Sequence, residues 1–539
     1  MRLSFWEGCN PSGLQTRKIR KTGREVGMAF LSPSKITTME HARKHRTWAL
    51  WIMVIVYIFN FIDRQIVNIL QEDIKADLGL LDWQLGTMTG LTFAIVYCTF
   101  GIPVARIADS TSRKGVMAVS LAVWSGFTAL CGLATNFWTL LLARMGVGLG
   151  EAGGSPPAHA MISDLYEKEK RGRALALYSA GLYAGTLLGY YLGGWLSEAM
   201  SWRQAFFVVG IPGVIFAIIV WTTVREPVRG LSGTKPSTQK VTFIESFKKL
   251  WSLKAFRYYS IATGAGTFVT YGLGNWMPSF LPRTYGVLDP ETMKYVGAWS
   301  MPEMQAFFGM CQTSMVDGVR TLAADCTRMS TTEIGLMYGT ITGVGGAIGT
   351  IAGGYIADRL GAKDRRWFLW VPMWGKVVGA PLFICALLAP TPELALLLYF
   401  PGITLAAMYL GPSLAITHHL VPASMRAMSS AVLFFILNII GLGTGPFVVG
   451  ILSDAVGGSA ASIAEAAPWI GTTVGEVKQW SLKWAMIAAV IITMPLTYLW
   501  HVGAKVLPVG ALDEDGNATK EALTEGDPKG QAQTTGPSA

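Results

Sequence analysis

Residues 105–114 read Ala105-Arg106-Ile107-Ala108-Asp109-Ser110-Thr111-Ser112-Arg113-Lys114, and residues 354–363 read Gly354-Tyr355-Ile356-Ala357-Asp358-Arg359-Leu360-Gly361-Ala362-Lys363. Each stretch closes an apolar run with an acidic residue and follows it with a short basic loop. The flanking runs are about 20 residues long, the length at which a helix crosses a hydrocarbon core of about 30 Å. Lipid offers the backbone no hydrogen-bond partner, so a spanning run must be helical. A second echo follows, Gly193-Gly194-Trp195-Leu196-Ser197-Glu198 against Val449-Gly450-Ile451-Leu452-Ser453-Asp454. The chain therefore reads as two copies of one helical unit.

Outward from these loops, apolar segments fall at 48–70, 84–107, 115–135, 137–159, 174–197, 203–224, 256–281, 333–357, 366–389, 393–420, 427–452 and 481–506. A polar stretch splits them six and six. The expectation is an all-α membrane protein with twelve transmembrane helices in two six-helix pseudo-repeats. The N-terminal half is 48–224, a cytoplasmic linker 225–255, and the C-terminal half 256–506 with an external insertion at 284–332. The basic segment 1–47 lacks the apolar core and cleavage site of a signal peptide. It and the polar segment 507–539 are expected to be disordered cytoplasmic tails, with Met28 or Met39 an alternative start.

Hydrophobic residues make up 51% of the 539 and charged ones 14%, with a formal charge of +10. Most of the Lys and Arg falls in segments that lie inside when both termini are cytoplasmic, as positive-inside bias requires. The basic balance is therefore topological, and no nucleic acid partner is expected. The location implied is multi-pass in a cell membrane, a bacterial inner membrane. There is no CxxC or HExxH pattern, so no metal or cofactor is expected, and no GxxxxGK[ST] loop for driving a pump with ATP. No nucleophile–base pair suggests an enzyme.

Ionisable residues at membrane depth cost about 2.5–3.5 kcal/mol each on insertion scales and mark functional sites. Asp63 and Arg64 sit in the first segment, about seven residues or 10 Å from its outer end at the helical rise. Arg144 lies at matching depth in the fourth, with Glu151 two turns further in. Adjacent Asp63 and Arg64 project about 100° apart and are not natural partners. Two readings stand: a proton and substrate relay in which an arginine changes partner, and a fixed ion-pair network. Phe400-Pro401-Gly402 occupies the place of Glu151 in the second repeat, so the C-terminal half supplies shape. Lys376 reads as a snorkelling lysine, and His418-His419 as an interfacial pair.

The loop at 105–114 resembles the major facilitator signature, Gly-x-x-x-Asp-Arg-x-Gly-Arg-Arg after the second helix. Asp109, Arg113 and Lys114 fit, while Ala105, Ser110 and Ser112 depart from it; the copy at 354–363 is closer. A narrower resemblance, over about 48–455 apart from the long insertion, is to the spinster-like branch. It rests on Phe59-Asn60-Phe61-Ile62-Asp63-Arg64, on Leu142-Ala143-Arg144-Met145-Gly146-Val147-Gly148-Leu149-Gly150-Glu151, and on Arg225-Glu226-Pro227. This resemblance implies a monomeric secondary transporter that rocks around a site between its halves. It implies proton-coupled export of an amphipathic anionic lipid, of lysophospholipid or sphingoid-phosphate type, or of an organic anion. It also points to Asp63 and Glu151 as proton carriers, with Arg64 and Arg144 beside them. The partners implied are the bilayer, protons and the small-molecule or lipid substrate. A small-molecule or drug antiporter and a transporter-like receptor without flux are the alternatives.

Gly181, Gly185, Gly189 and Gly193 recur on one face of the fifth helix, and Gly345, Gly349 and Gly353 on one face of the eighth. Small residues let membrane helices approach closely, and the resemblance sets these helices against each other across the halves. A sliding gate is expected there, with ordinary close packing as the alternative. Asp109 with Arg113, and Asp358 with Arg359, are expected to serve an inner gate, Asp109 by capping the start of the eleventh helix. Tyr57, Tyr183, Tyr190, Tyr191, Asn275, Trp276 and Asn438 are cavity candidates that read equally as packing residues. Cys311 and Cys326, on the external insertion, are a candidate disulfide.

Overall fold

The computed structural model describes residues 35–232, 242–288, 295–298, 313–316, 319–322, 328–422, 425–507, 511–512 and 518–519. The principal helical segments are α1 (Met39–Ile69), α2 (Asp82–Ser110), α3 (Arg113–Cys131), α4 (Phe137–Glu151), α5 (Lys168–Ala199) and α6 (Trp202–Thr223). They continue as α7 (Lys254–Tyr285), α8 (Thr331–Gly361), α9 (Trp367–Leu388), α10 (Pro392–His419), α11 (Met428–Gly458) and α12 (Val474–Val506). Among the described residues nine of these are long and apolar enough to cross a membrane. The other three differ for local reasons. α4 is 15 residues long and resumes after a short break as Ser155–Leu165. α5 begins on a basic turn, and α7 is rich in Gly, Tyr and Pro.

Side chains cap the helices where the loops are tight. Asn136, Ser201 and Ser330 start α4, α6 and α8 with reciprocal capping boxes, and Thr391 and Thr473 cap α10 and α12. Each satisfies amide groups that a helix start otherwise leaves open. α1 starts nine residues earlier than 48, because Thr38 caps it and Ala42 is buried. Residues 39–47 are therefore helix, a correction to the expected tail. The linker is also partly ordered. Ile36 N–H donates to Glu226 O and Val228 N–H to Ile36 O, both at 2.9 Å. The amphipathic helix Phe243–Ser252 buries Leu250 against the C-terminal half. Short strands, Gly286–Leu288 with Tyr295–Ala298 and Arg328–Met329, and Thr313–Val316 with Val319–Leu322, occur in the insertion. Cys311 and Cys326 lie outside the described residues.

The halves α1–α6 and α7–α12 meet at one end. Arg283 on α7 binds Glu72 at 2.7 Å and Asp82 at 2.7 and 2.9 Å. Ser453 O–H donates to Asp82 at 2.7 Å. Asp454, closing α11, accepts the N–H groups of Asp82 (3.1 Å) and Trp83 (2.7 Å) at the start of α2. Glu198, closing α5, accepts Thr332 N–H (2.8 Å) and its hydroxyl (2.6 Å) at the start of α8. The acidic residues of the echoed motif thus each cap a helix of the opposite half, where a carboxylate complements the helix dipole. Among the described residues, hydrogen bonds between the halves reach no further than Tyr183–Thr350, midway along α5 and α8. The end tied by these bonds is the closed end; toward the other, open end the described residues make no further hydrogen bond between the halves, and Asp109 and Asp358 are exposed.

The glycine ladder on α5 does not face α8. A Cβ on Gly185 would lie 2.7 Å from Phe61 Cβ, one on Gly189 2.8 Å from Gln65 Cβ, and one on Gly193 2.4 Å from Ile69 Cγ2. Gly181 likewise packs on Val54 and Tyr57. The ladder seats α5 on α1 inside its own half. Gly345, Gly349 and Gly353 face Ile403, Thr404 and Met408 of α10. The interface between halves uses other glycines: Cβ atoms on Gly335 and Gly339 would meet the Tyr190 and Leu187 carbonyls at 2.3 and 2.9 Å. Both helices are glycine-rich on more than one face, so spacing alone cannot say which face meets which neighbour.

Candidate functional site

A buried charged centre lies in the N-terminal half, with Asp63 and Arg64 near the end of α1, Arg144 in the middle of α4 and Glu151 at its end. Glycines seat α4 on its neighbours. A Cβ on Gly146 would lie 2.3 Å from Phe127 Cδ1, and one on Gly150 2.5 Å from the Trp124 backbone nitrogen, both on α3. The same spacing leaves Gly148 against Phe93 of α2. These close approaches seat α4 on α3 and α2, and the long side chains of Arg64 and Arg144 span the distance between α1 and α4.

The helical turn sends the neighbours Asp63 and Arg64 different ways. Arg64 keeps 17% of its side chain exposed, and Nε donates to Glu151, whose side chain is 0% exposed. The guanidinium lies over the rings of Phe61 (5.2 Å), Phe93 (4.9 Å) and Tyr97 (5.1 Å). Arg144 is buried, and its Nη1 donates to the backbone carbonyl of Asp63 at 3.3 Å, not to its carboxylate. Among the described residues neither Asp63 carboxyl oxygen has a partner in hydrogen-bond geometry, although the Trp124 and Thr128 donors of α3 stand beside it. The structure thus gathers Asp63, Arg64, Arg144 and Glu151 in one place. It makes one ion pair, Arg64–Glu151, and leaves the Asp63 carboxyl without a counter-ion inside 4 Å.

The cavity candidates separate into two groups. Tyr57 stacks on Tyr178 at 4.5 Å with its edge to Phe61, and Tyr183 bonds the Thr350 hydroxyl across the halves. Asn438 opens a wide π turn in α11 (Asn438–Gly443). The others belong to the closed end. Asn275 accepts from Asn68 (3.3 Å) and, on its carbonyl, from Gln71 (2.7 Å). Tyr190 O–H donates to Gly274 O at 3.3 Å, Trp276 donates to Pro446 O at 2.9 Å, and half-buried Tyr191 backs onto Gly335. Tyr190, Tyr191, Asn275 and Trp276 are thus packed among the contacts of the closed end.

At the open end Asp109, Asp358 and Arg359 are exposed, and Arg359 reaches only Tyr355 of its own helix. Asp109 does not cap α11 in this conformation. Arg113 is buried inside its own half, bound to Asp164 (2.6 Å) and to the Pro227 carbonyl (2.7 Å), with Glu226 at 3.6 Å. That makes Glu226 and Pro227 a clamp on the start of α3, while Arg225 bonds His41 and His45 of α1. Lys376 is also corrected. It is buried, and Nζ donates to Gly266 O and Thr270 Oγ1 of α7, both at 2.8 Å, so it does not snorkel. The missing side chain at Gly266 makes room for its stem. His418 bonds Ser430 at 2.7 Å and His419 sets its ring edge against Phe368. Sequence reasoning missed Asp82 and Arg283 and read Glu198 and Asp454 only as an echo between the repeats, because charges at helix ends look like ordinary loop charges.

The model of the Major Facilitator Superfamily matches residues 53–316. An MFS-type efflux pump of Mycolicibacterium smegmatis is 30% identical over 432 residues, covering 79% of this chain and 89% of the pump. A sphingosine-1-phosphate transporter of Danio rerio is 24% identical, covering 74% of each chain. A crystal structure of a bacterial homologue of the human lysosomal transporter Spinster, inward-facing and unoccupied, superposes with a TM-score of 0.70 at 27% identity. It covers 86% of this chain and 98% of that one.

Proposed function

The chain belongs to the spinster-like branch of the major facilitator superfamily, and on that premise we propose that it couples proton movement to export of an amphipathic anion by alternating access. It is a multi-pass membrane transporter and not an enzyme. The observation that carries the proton reading is the unequal treatment of two buried carboxyls. Glu151 holds an arginine, and Asp63 holds none. A buried carboxylate without a counter-ion is costly, and such a group stays neutral by keeping its proton. In the proposed cycle Arg64 or Arg144 changes partner as the halves rock, so the carboxyl that holds the proton changes with the open side. The basic loops support an open end on the cytoplasmic side, which makes this conformation inward-open.

The substrate reading, a lysophospholipid or sphingoid phosphate, is supported by the partly exposed Arg64 and by the aromatic rings around it. Arginine is suited to phosphate, and the rings suit an acyl or sphingoid chain. A drug antiporter is the second reading, favoured by the likeness to the mycobacterial efflux pump. Proteoliposomes carrying an imposed pH gradient, assayed with sphingosine-1-phosphate and with ethidium, separate the two. Gradient-driven lipid flux supports the first reading and ethidium flux alone the second. Flux of either that ignores the gradient rejects proton coupling.

A further inference from the structure

We propose that Phe93 is a positioning residue that ties the contact between α2 and α11 to the pairing of Arg64 and Arg144. The inference rests on the proton-coupling reading above and adds the part that connects the gate to the charges.

α2 is not a uniform helix. Thr87–Leu91 forms a wide π turn, and regular α-helix resumes at Thr92. α11 carries its own π turn at Asn438–Gly443, and the two meet across the halves. A Cβ on Gly90 would lie 2.8 Å from Gly443 O and 2.9 Å from Leu442 O, and one on Gly443 3.1 Å from Ala94 Cβ. Gly90 and Ala94, one turn apart, therefore face the other half. Phe93 points about 100° away from Ala94, into its own half, and is 2% exposed.

There the ring lies between two guanidinium groups. Arg64 Cζ is 4.9 Å from its centroid and Arg144 Cζ is 5.9 Å. One side of the ring stacks with Tyr97 at 5.9 Å, and its edge presses on α4, where a Cβ at Gly148 would meet it at 3.3 Å. Guanidinium groups are attracted to the face of a ring. A ring closer to Arg64 favours the position in which Arg64 holds Glu151. It also fills the space through which the two arginines would exchange partners. A π turn is a local departure from regular helix that recurs at functional sites. Motion of α2 against α11 carries Phe93 with it, so a change at the contact between the halves becomes a change in which arginine the ring supports.

The titratable and charged groups around Phe93 are Asp63 and Arg64 from α1, Arg144 and Glu151 from α4, Tyr97 from α2, and Cys131 from α3 beside Arg144. Tyr271 of α7 approaches Arg64 from the other half. Of these the carboxyls are the groups expected to titrate with the conformational change.

The test uses the full chain in lipid nanodiscs, with spin-label pairs across the closed and open ends, titrated from about pH 5 to 9. The pH midpoint of the two-conformer distance distribution is read. Wild type is expected to titrate. Phe93→Leu keeps an apolar side chain and loses the π face, and is expected to shift the midpoint by about half a unit or more. Phe93→Tyr should restore the wild-type midpoint. Phe93→Met, unbranched and without a π face, serves if the leucine variant is poorly folded. A wild-type titration curve in Phe93→Leu or Phe93→Met overturns the role of Phe93. A wild type that does not titrate overturns the proton reading, and this inference with it.

Discussion

At the scale of the residue, Asp63 and Glu151 differ in what they would lose. Glu151 is buried and ion-paired, so Glu151→Gln strands Arg64 with only its rings. Removing one partner of a buried pair costs about 3 kcal/mol or more, and a clear fall in melting temperature is expected in detergent. Asp63→Asn replaces a carboxyl that has no ion-pair partner with an amide of the same shape. Its cost should stay within about 1 kcal/mol. Under the proton reading both lose gradient-driven flux by about tenfold or more. Equal melting temperatures for the two variants would contradict the pairing, and undiminished gradient-driven flux in Asp63→Asn would contradict the relay.

At the scale of the element, the glycines sort into those that build a half and those that join the halves. A leucine at Gly185 would run into Phe61 and Ile58 of α1. Overpacking of this kind costs about 1–3 kcal/mol, and it should lower stability without favouring either open state. A leucine at Gly339 would instead wedge α8 from the Leu187 carbonyl on α5. That should open the closed end, with faster amide hydrogen exchange in peptides covering 187–198 and 331–343. The opposite pattern, with Gly185→Leu changing exchange at that end and Gly339→Leu silent, would restore the α5 ladder as the moving surface.

At the scale of the whole molecule, the charged groups that hold the closed end are one buried guanidinium and two helix caps, beside the neutral bonds of Asn275, Tyr190 and Ser453. Arg283 is 5% exposed and shared between Glu72 and Asp82 on the other half. Arg283→Gln leaves Asp82 with Lys75 and Ser453. Losing about 3 kcal/mol from the closed end alone moves a two-state equilibrium by about a hundredfold. The expected result is faster hydrogen exchange over residues 71–86 and 446–454. Asp454→Asn, which weakens one cap, should produce a smaller change in the same peptides, since a cap contributes about 1 kcal/mol. Wild-type exchange in Arg283→Gln would show that apolar packing, not the ion pair, holds that end shut.

The sequence by itself determined the helical membrane fold, the echo between its two sets of loops and the placement of Asp63, Arg64 and Arg144 inside apolar helices, with Glu151 two turns from Arg144. Those follow from lipid length, backbone satisfaction and a rise per residue that is the same in every helix. The tertiary structure decided who touches whom. Arg64 meets Glu151 while Arg144 meets the backbone of Asp63, across two helices whose separation no local spacing gives. The α5 ladder turned to α1, and Lys376 turned inward to α7, because a neighbouring helix offered a groove or a carbonyl there. The latch of Arg283, Glu72 and Asp82 joins residues about 200 positions apart, a separation that local spacing rules do not reach. Periodicity gives the face of a helix; only packing gives the identity of the helix that face meets.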